Sequence, residues 1–485
     1  MASCSAPQVN PSTSTEVDVD DTKEKRPKRK VAIIFGYVGE RYCGLQWNHD
    51  PTNPTIEEEL MHALHRAGFI ADENMGTDMM QKLGWERASR TDKGVHALKN
   101  LISVKLMLPL GLKGPVIEVT DPPKRRNITN VEEETEAWKE AVKLVNAQLP
   151  TDIHVYSIVP VTRSFNGYQM CHERTYEYFL PTFALMSADE YRELMPLSVA
   201  PIYPTAEDLE EDDREYEAIV TASESAPGDE DAPARRPAKK RRHEGADDAT
   251  GFERMMTFRT IPDAAMRKLS SYRITAENLE HARRLFSGFV GTLRYHNFTP
   301  KGRSSDPSTI RFIKSVTVDD PIVVTPGSDE LLAKNYRMPE VYDPHGLEWV
   351  RIELVGQSFM LNQIRKMIGA VSTIMICGLD DSYLAELMDK QVSRGIPMAP
   401  ANGLFLSNLD FTMYNLRLNR IQVEGDNGRG KQGVHMEDCS AEEVSAVRRR
   451  IVDVIARREM REHVTGRWIR SARHVVQLAW HKEMN

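Results

Sequence analysis

Short stretches in which apolar and polar positions alternate read as strands, and longer ones with apolar positions three and four apart read as helices. Residues 31–37 form a continuous apolar, β-rich run. Thr55-Ile56-Glu57-Glu58 sets a capping Thr and a Glu three residues later at the head of a helix with Ile56, Leu60 and Leu64 on one face, and Gly68 is a natural stop. Ile102, Val104 and Leu106 alternate with Ser103 and Lys105 as in a half-buried strand. Trp138, Val142, Val145 and Leu149 mark a second helix, closed before Pro150, and a further strand starts at Ile153. The same order then returns, with a strand over 174–180, a helix over about 276–288, strands over 311–318 and 347–355, and an apolar helix over about 359–377. Strand and helix thus alternate in two comparable halves. The pattern predicts an α+β fold of two ferredoxin-like (RRM-like) lobes, their sheets joined side by side, with the cleft between them as the expected site.

At 485 residues the chain is longer than one hydrophobic core usually organises, in keeping with two lobes plus appendages. Residues 1–29 read as a solvated tail with order beginning near Val31; 30–162 form the N-terminal lobe, and 163–415 the C-terminal lobe, interrupted by a charged, disordered insertion at about 205–251. Residues 416–485 form an Arg-rich helical extension, in which Ser440-Ala441-Glu442-Glu443 caps a helix carrying Arg448, Arg449, Arg450, Arg457, Arg458 and Arg461. Its basic face suits phosphates, or else is the solvated side of a helix packed on the C-terminal lobe.

The longest apolar stretch, 367–379, is too short to span a bilayer, which takes about 20 residues. Five scattered cysteines without a C-x-x-C pair fit neither a disulfide framework nor a zinc ribbon, so a reducing compartment is expected. The formal charge of -8 disfavours a polyanionic partner only superficially, because much of the acid lies in the tail and the insertion. Basic runs at 23–30 and 235–242 read as nuclear import signals or nucleic-acid tethers, or as plain solvated charge. The expected location is the nucleus, which leaves room for a mitochondrial or cytoplasmic pool.

Ala88-Ser89-Arg90-Thr91-Asp92-Lys93-Gly94-Val95-His96-Ala97-Leu98 is a loop leading into the strand near Ile102. Arg90 and Lys93 favour the ionised form of Asp92. From spacing alone, Asp92 is equally a turn residue or an ion-pair partner, and His96 a surface or loop histidine. Arg365 lies among the apolar Phe359, Ile364, Ile368, Val371 and Met375. A buried, unpaired guanidinium would cost several kcal/mol, so Arg365 needs a carboxylate or phosphate partner or must snorkel to the surface. Tyr176 and Tyr178 fall on one face of their strand and read as core aromatics.

Arg90-Thr91-Asp92-Lys93-Gly94-Val95-His96-Ala97 resembles the R-T-D-x-G-V-x-A signature of TruA-type pseudouridine synthases. Four more stretches resemble that family's motifs in its order: the Y-x-G-x-x-Y-x-G-x-Q pattern from Tyr37 to Gln46, Arg174-Thr175-Tyr176-Glu177-Tyr178, His296-Asn297-Phe298-Thr299, and the stretch from Gly356 to Gly369. The resemblance spans about 31–414, and the wording of the third and fifth motifs is most similar to the eukaryotic branch that modifies tRNA at several sites and other RNAs too.

The resemblance implies that Asp92 is the catalytic carboxylate, attacking C1′ of a uridine or assisting elimination to a glycal, and that Arg365 pairs with it across the cleft. It implies that Tyr176 stacks on the uracil and assists proton loss from C5, and that Arg90 fills the space of the extruded nucleotide. Thr91 and Lys93 of the same loop, with Phe298 and Phe359, are the further substrate-binding candidates, the two rings as parts of a dry wall with Met360. No metal, redox or nucleotide cofactor is implied. The expected partners are tRNA and, beyond it, small nuclear and messenger RNA, with a monomer expected. A catalytically inactive nuclear RNA-binding or chaperone protein of the same fold is the competing reading. A glycoside hydrolase would need a second acid, and none stands at a suitable position.

Overall fold

The computed structural model describes residues 26–50, 52–76, 78–109, 116–118, 124–126, 131–195, 261, 263–324, 343, 345–424 and 431–472. Their strands are β1 (Lys28–Tyr37), β2 (Glu86–Arg87), β3 (His96–Met107), β4 (Val116–Glu118), β5 (Lys124–Arg126), β6 (Ile153–Pro160), β7 (Glu173–Pro181), β8 (Gly291–Arg294), β9 (Ile310–Val318), β10 (Ile322–Val324), β11 (Leu347–Gly356) and β12 (Leu404–Asp410). All but β4 and β5, which pair with each other, belong to one ten-stranded sheet with the path β6-β1-β3-β12-β7-β11-β9-β8.

The α+β expectation holds, and the sheet shows how the halves meet. β1 pairs antiparallel with β3 and β6, and β7 pairs antiparallel with β11 and β12. The joint is a short parallel ladder in which Phe405 and Leu406 of β12 face His96 and Ala97 of β3. The strand that starts just after the Asp92 loop is therefore one strand removed from β7, which carries Tyr176. Alternation does not expose β12: both its ladder partners, β3 and β7, lie far earlier in the chain, and the sequence reading leaves this strand out.

The longer helices are α1 (Ile56–Arg66), α2 (Val131–Asn146), α3 (Ala276–Ser287), α4 (Gln363–Cys377), α5 (Thr412–Glu424) and α6 (Ala441–Glu462). Thr55 caps α1, its side chain accepting from Glu58 N, and Ile56, Leu60 and Leu64 are buried as the periodicity predicts. Ser440 caps α6 in the same way. α4 is buried along nearly its whole length, but it starts at Gln363 rather than near 359. Asn362 precedes it in a left-handed conformation (φ 61°), so Phe359 and Met360 belong to the loop ahead of the helix.

Order begins before Val31. Arg29 and Lys30 are buried in β1: Arg29 forks onto the buried Glu134 (2.7 and 2.8 Å), and Lys30 Nζ donates to Gly84 O at 2.6 Å. Half of the first basic run is thereby built into the fold. Tail residues 1–25 and the insertion at 205–251 lie outside the described residues. Among the described residues no helix is long and apolar enough to cross a membrane.

Candidate active site

The loop between β2 and β3 is held from beneath by the 37–46 segment. Tyr37 OH and Thr91 Oγ1 are 2.7 Å apart, Leu45 N donates to Thr91 O (3.1 Å), and Gly94 N donates to Tyr42 O (3.2 Å). A Cβ on Gly39 would lie 2.1 Å from Val95 O, and one on Gly44 (φ 91°) 2.8 Å from Thr91 O, so the two glycines let the backbones touch. The Tyr-x-Gly-x-x-Tyr-x-Gly spacing thus has a physical cause: it is the bed of the Asp92 turn. Within that turn, Val95 N donates to Asp92 O at 3.1 Å, and Asp92 is half-buried while Arg90 and Lys93 are exposed.

A second set of bonds joins the loop to the C-terminal half. Ser89 Oγ and Tyr176 OH, both buried, are 2.6 Å apart. Asn100, wholly buried in β3, donates from Nδ2 to Ser89 O (3.2 Å) and to Tyr37 OH (3.4 Å), so one amide ties Ser89 directly and Thr91 through Tyr37. Arg174 donates to Ala88 O through Nε (3.2 Å) and Nη2 (2.9 Å), and through Nη1 to Gln357 O, gripping the loop entry and the end of β11 together.

Tyr176 packs edge-on against Phe359, ring centroids 5.2 Å apart. Burial pushes its phenol pKa up, the Ser89 hydrogen bond opposes this, and the Asp92 carboxylate adds to the rise. The phenol is therefore neutral and within electrostatic reach of Asp92. Arg365, half-buried in α4, donates from Nε to Ala399 O at 2.7 Å. Its charge bears on Tyr178, whose hydroxyl donates to Pro400 O at 2.8 Å. Tyr176 and Tyr178 alternate onto one face of β7; the Asp92 charge raises the pKa of the first and the Arg365 charge lowers that of the second.

A family model described as tRNA pseudouridine synthase matches residues 286–412, the stretch that contains Phe298, Phe359 and Arg365. The tRNA pseudouridine synthase 1 of Saccharomyces cerevisiae is 33% identical over 404 residues, 82% of this chain and 64% of that protein. The chain is similar to TruA-type pseudouridine synthases over most of its length. Its other relatives include the Pseudouridylate synthase 1 homolog of Mus musculus, 27% identical over 82% of this chain and 64% of that protein. The tRNA pseudouridine(27/28) synthase of S. cerevisiae is 28% identical, covering 90% of this chain and 97% of that protein. The chain spans less than two thirds of the length of the yeast synthase 1.

The structure brings Asp92, Tyr176 and Phe359 together and leaves other expected residues elsewhere. Phe298 is a core ring, wholly buried against Phe289 (5.7 Å) and Tyr295 (5.4 Å). Its motif braces the 387–394 segment instead, with Asn297 Nδ2 on Leu387 O and Val392 O and Arg394 N on Asn297 Oδ1. Thr91 spends its hydroxyl on Tyr37 and its carbonyl on Leu45, which makes it part of the loop's support. His96 is not a surface histidine: it is buried, Nδ1 accepts from Gly39 N at 3.0 Å, and burial drives its pKa down to about 4.

Arg448 of α6 does not face solvent phosphates, because it forks onto Glu177, a buried carboxylate on the other face of β7, which Arg351 also approaches at 3.5 Å. Sequence reasoning passes over Ser89, Asn100 and Arg174 as positioning groups. The available signal is a polar Asn100 in step with the apolar Leu98, Ile102, Val104 and Leu106 on one face of β3, a pattern that asks for buried partners.

Proposed function

We propose that the protein isomerises uridine to pseudouridine in tRNA, with Asp92 as the nucleophile. The observation that carries this reading is the fixed Asp92 turn, whose carboxylate bears on the buried phenol of Tyr176. A target nucleotide must leave its stack to meet a carboxylate at this depth, and the exposed Arg90 beside the turn is placed to occupy the vacated space. A carboxylate oxygen of Asp92 attacks C1′, and the C1′–N1 electron pair leaves with the uracil. The uracil turns, its C5 attacks C1′ and releases Asp92, and loss of the C5 proton restores the ring.

Arg365 is assigned as the cation that keeps Asp92 ionised across the lobes. Its support is the pair of phenols on one face of β7, with the Arg365 charge bearing on Tyr178 and the Asp92 charge on Tyr176. Tyr176 enters as a neutral ring that stacks on the uracil, since burial and the nearby carboxylate both oppose a phenolate. Phe359 supplies the apolar wall that keeps water from the detached base. Small nuclear and messenger RNA are included among the substrates, on the resemblance of the motifs to the multi-site branch. The reading takes the protein as a monomer and as nuclear; the support for the latter is the 235–242 basic run, which lies outside the described residues.

Release of tritium from C5-labelled uridine in a tRNA transcript tests the assignment. The native protein is expected to release the label and Asp92→Ala to release none above background. Equal release from both would remove Asp92 from the chemistry, and no release from either would favour an inactive RNA-binding protein of the same fold.

A further inference from the structure

Tyr168 is a large aromatic side chain left 56% exposed, in a short helix (Gly167–Met170) just ahead of β7. The backbone under it is fixed: Asn166 Oδ1 accepts from Tyr168 N (2.9 Å) and Gln169 N (3.0 Å). The guanidinium carbon of Arg174 lies 5.5 Å from the centroid of the Tyr168 ring, and Arg174 Nη2 donates to Tyr168 O at 3.1 Å. Arg174 is itself buried and bound to Ala88 and Gln357, so it backs one side of the ring with a rigid planar cation, and the exposure lies on the other. Two residues along the strand from Arg174, on the same face and about 7 Å away, stands Tyr176. The ring is thus presented beside the proposed uracil pocket.

Arg311 of β9 lies across β11 from this point: Arg174 pairs with Gly356, Gly356 pairs with Ile313, and Arg311 is two residues along β9 from Ile313 on the same face. Its Nε is buried without a hydrogen-bond partner among the described residues, while Nη1 donates to Ile310 O at 2.9 Å. Burial lowers its pKa, and the Tyr168 hydroxyl and the Asp306 carboxylate oppose this. A buried donor of this kind calls for an acceptor, and a cation beside an exposed ring matches the two parts of a nucleotide: a π-face for the base and an anionic oxygen for the phosphate.

We propose that Tyr168 and Arg311 form a nucleotide subsite next to the Tyr176 pocket, where an unpaired RNA base adjacent to the target uridine stacks on Tyr168 and its phosphate meets Arg311. The subsite rests on the reading of the protein as an RNA-modifying enzyme and adds to it: it grips the flank of the target, so that extrusion of the uridine does not release the strand. A protein partner docking on the same ring is the competing occupant.

The test uses the full-length protein and a tRNA transcript carrying 2-aminopurine one nucleotide 5′ or 3′ of the modified uridine. At one of these positions binding quenches the fluorescence; Tyr168→Ala abolishes the quenching and Tyr168→Phe keeps it. In turnover, Tyr168→Ala raises KM about tenfold with kcat within about twofold, as expected for loss of one base-stacking contact, and its melting temperature stays that of the native protein. Arg311→Gln lowers the slope of log affinity against log salt by about one. Undiminished quenching in Tyr168→Ala, an unchanged KM, or a Tyr168→Phe protein as impaired as Tyr168→Ala would overturn the subsite. Quenching reports binding alone, so it decides the subsite even if Asp92→Ala proves active and the proposed chemistry fails.

Discussion

Ser89 shows how a residue with no chemistry of its own can matter to the site. Its hydroxyl lies 2.6 Å from that of Tyr176 in a buried setting, and its carbonyl is held by Asn100. Ser89→Ala leaves the phenol without this partner, and an unsatisfied buried hydroxyl costs about 1–3 kcal/mol. The expected outcome is a kcat lowered about tenfold with KM unchanged, read by steady-state tritium release; a native kcat would show that the Tyr176 hydroxyl needs no anchor. The sequence singles out Asp92, Tyr176 and Arg365 through five ordered motifs, and their roles belong to the proposal. Ser89, Asn100 and Arg174 were not legible as anchors, because each acts through a contact about 10 to 180 residues away in the chain. Phe298 was misplaced for a related reason: a motif aromatic reads alike whether it lines a cleft or fills a core.

α6 was legible as a capped, Arg-rich helix, but not what its cations do. Arg448 is held by the buried Glu177, whereas Arg449 is exposed and donates to Ser445 Oγ. Of these two, Arg449 rather than Arg448 is placed to contribute to RNA affinity. Near its end, Glu459 is wholly buried and accepts from Thr465 N at 3.1 and 2.8 Å. Burial lifts its pKa to about 7, from an ordinary value of 4.5, against the opposing Thr465 and Gly466 hydrogen bonds and the charge of Arg467. Between pH 4.5 and about 7 the unfolded chain releases this proton while the folded one keeps it, so the contribution of Glu459 to stability falls as pH rises through that window. Glu459→Gln keeps an acceptor for Thr465 and removes the titration. The variant is expected to match the native protein near pH 4.5 and to exceed it above pH 7, by on the order of 3 kcal/mol in urea unfolding. A native-like pH profile in the variant would show that Glu459 is ionised when folded.

At the level of the molecule, the two halves were legible as alternating strand and helix, and the joint between them was not. β12 returns from beyond α4 to lie between β3 and β7, so the sheet that carries the site is closed by residues about 300 positions after β3. Local periodicity carries no information about such a pairing. The arrangement sets the Asp92 turn at the head of β3 and Tyr176 on β7, with Arg365 on α4 bonded to Ala399 O. The account therefore stands on a negative charge at position 92, set at the seam. Asp92→Asn keeps the shape and hydrogen-bonding size of that side chain and removes the charge. Single-turnover conversion of uridine to pseudouridine in tRNA, measured with binding affinity in the same preparations, tests it most directly. The account predicts tRNA affinity within about threefold of native and a rate reduced at least about a thousandfold; conversion by Asp92→Asn within about tenfold of native would contradict it.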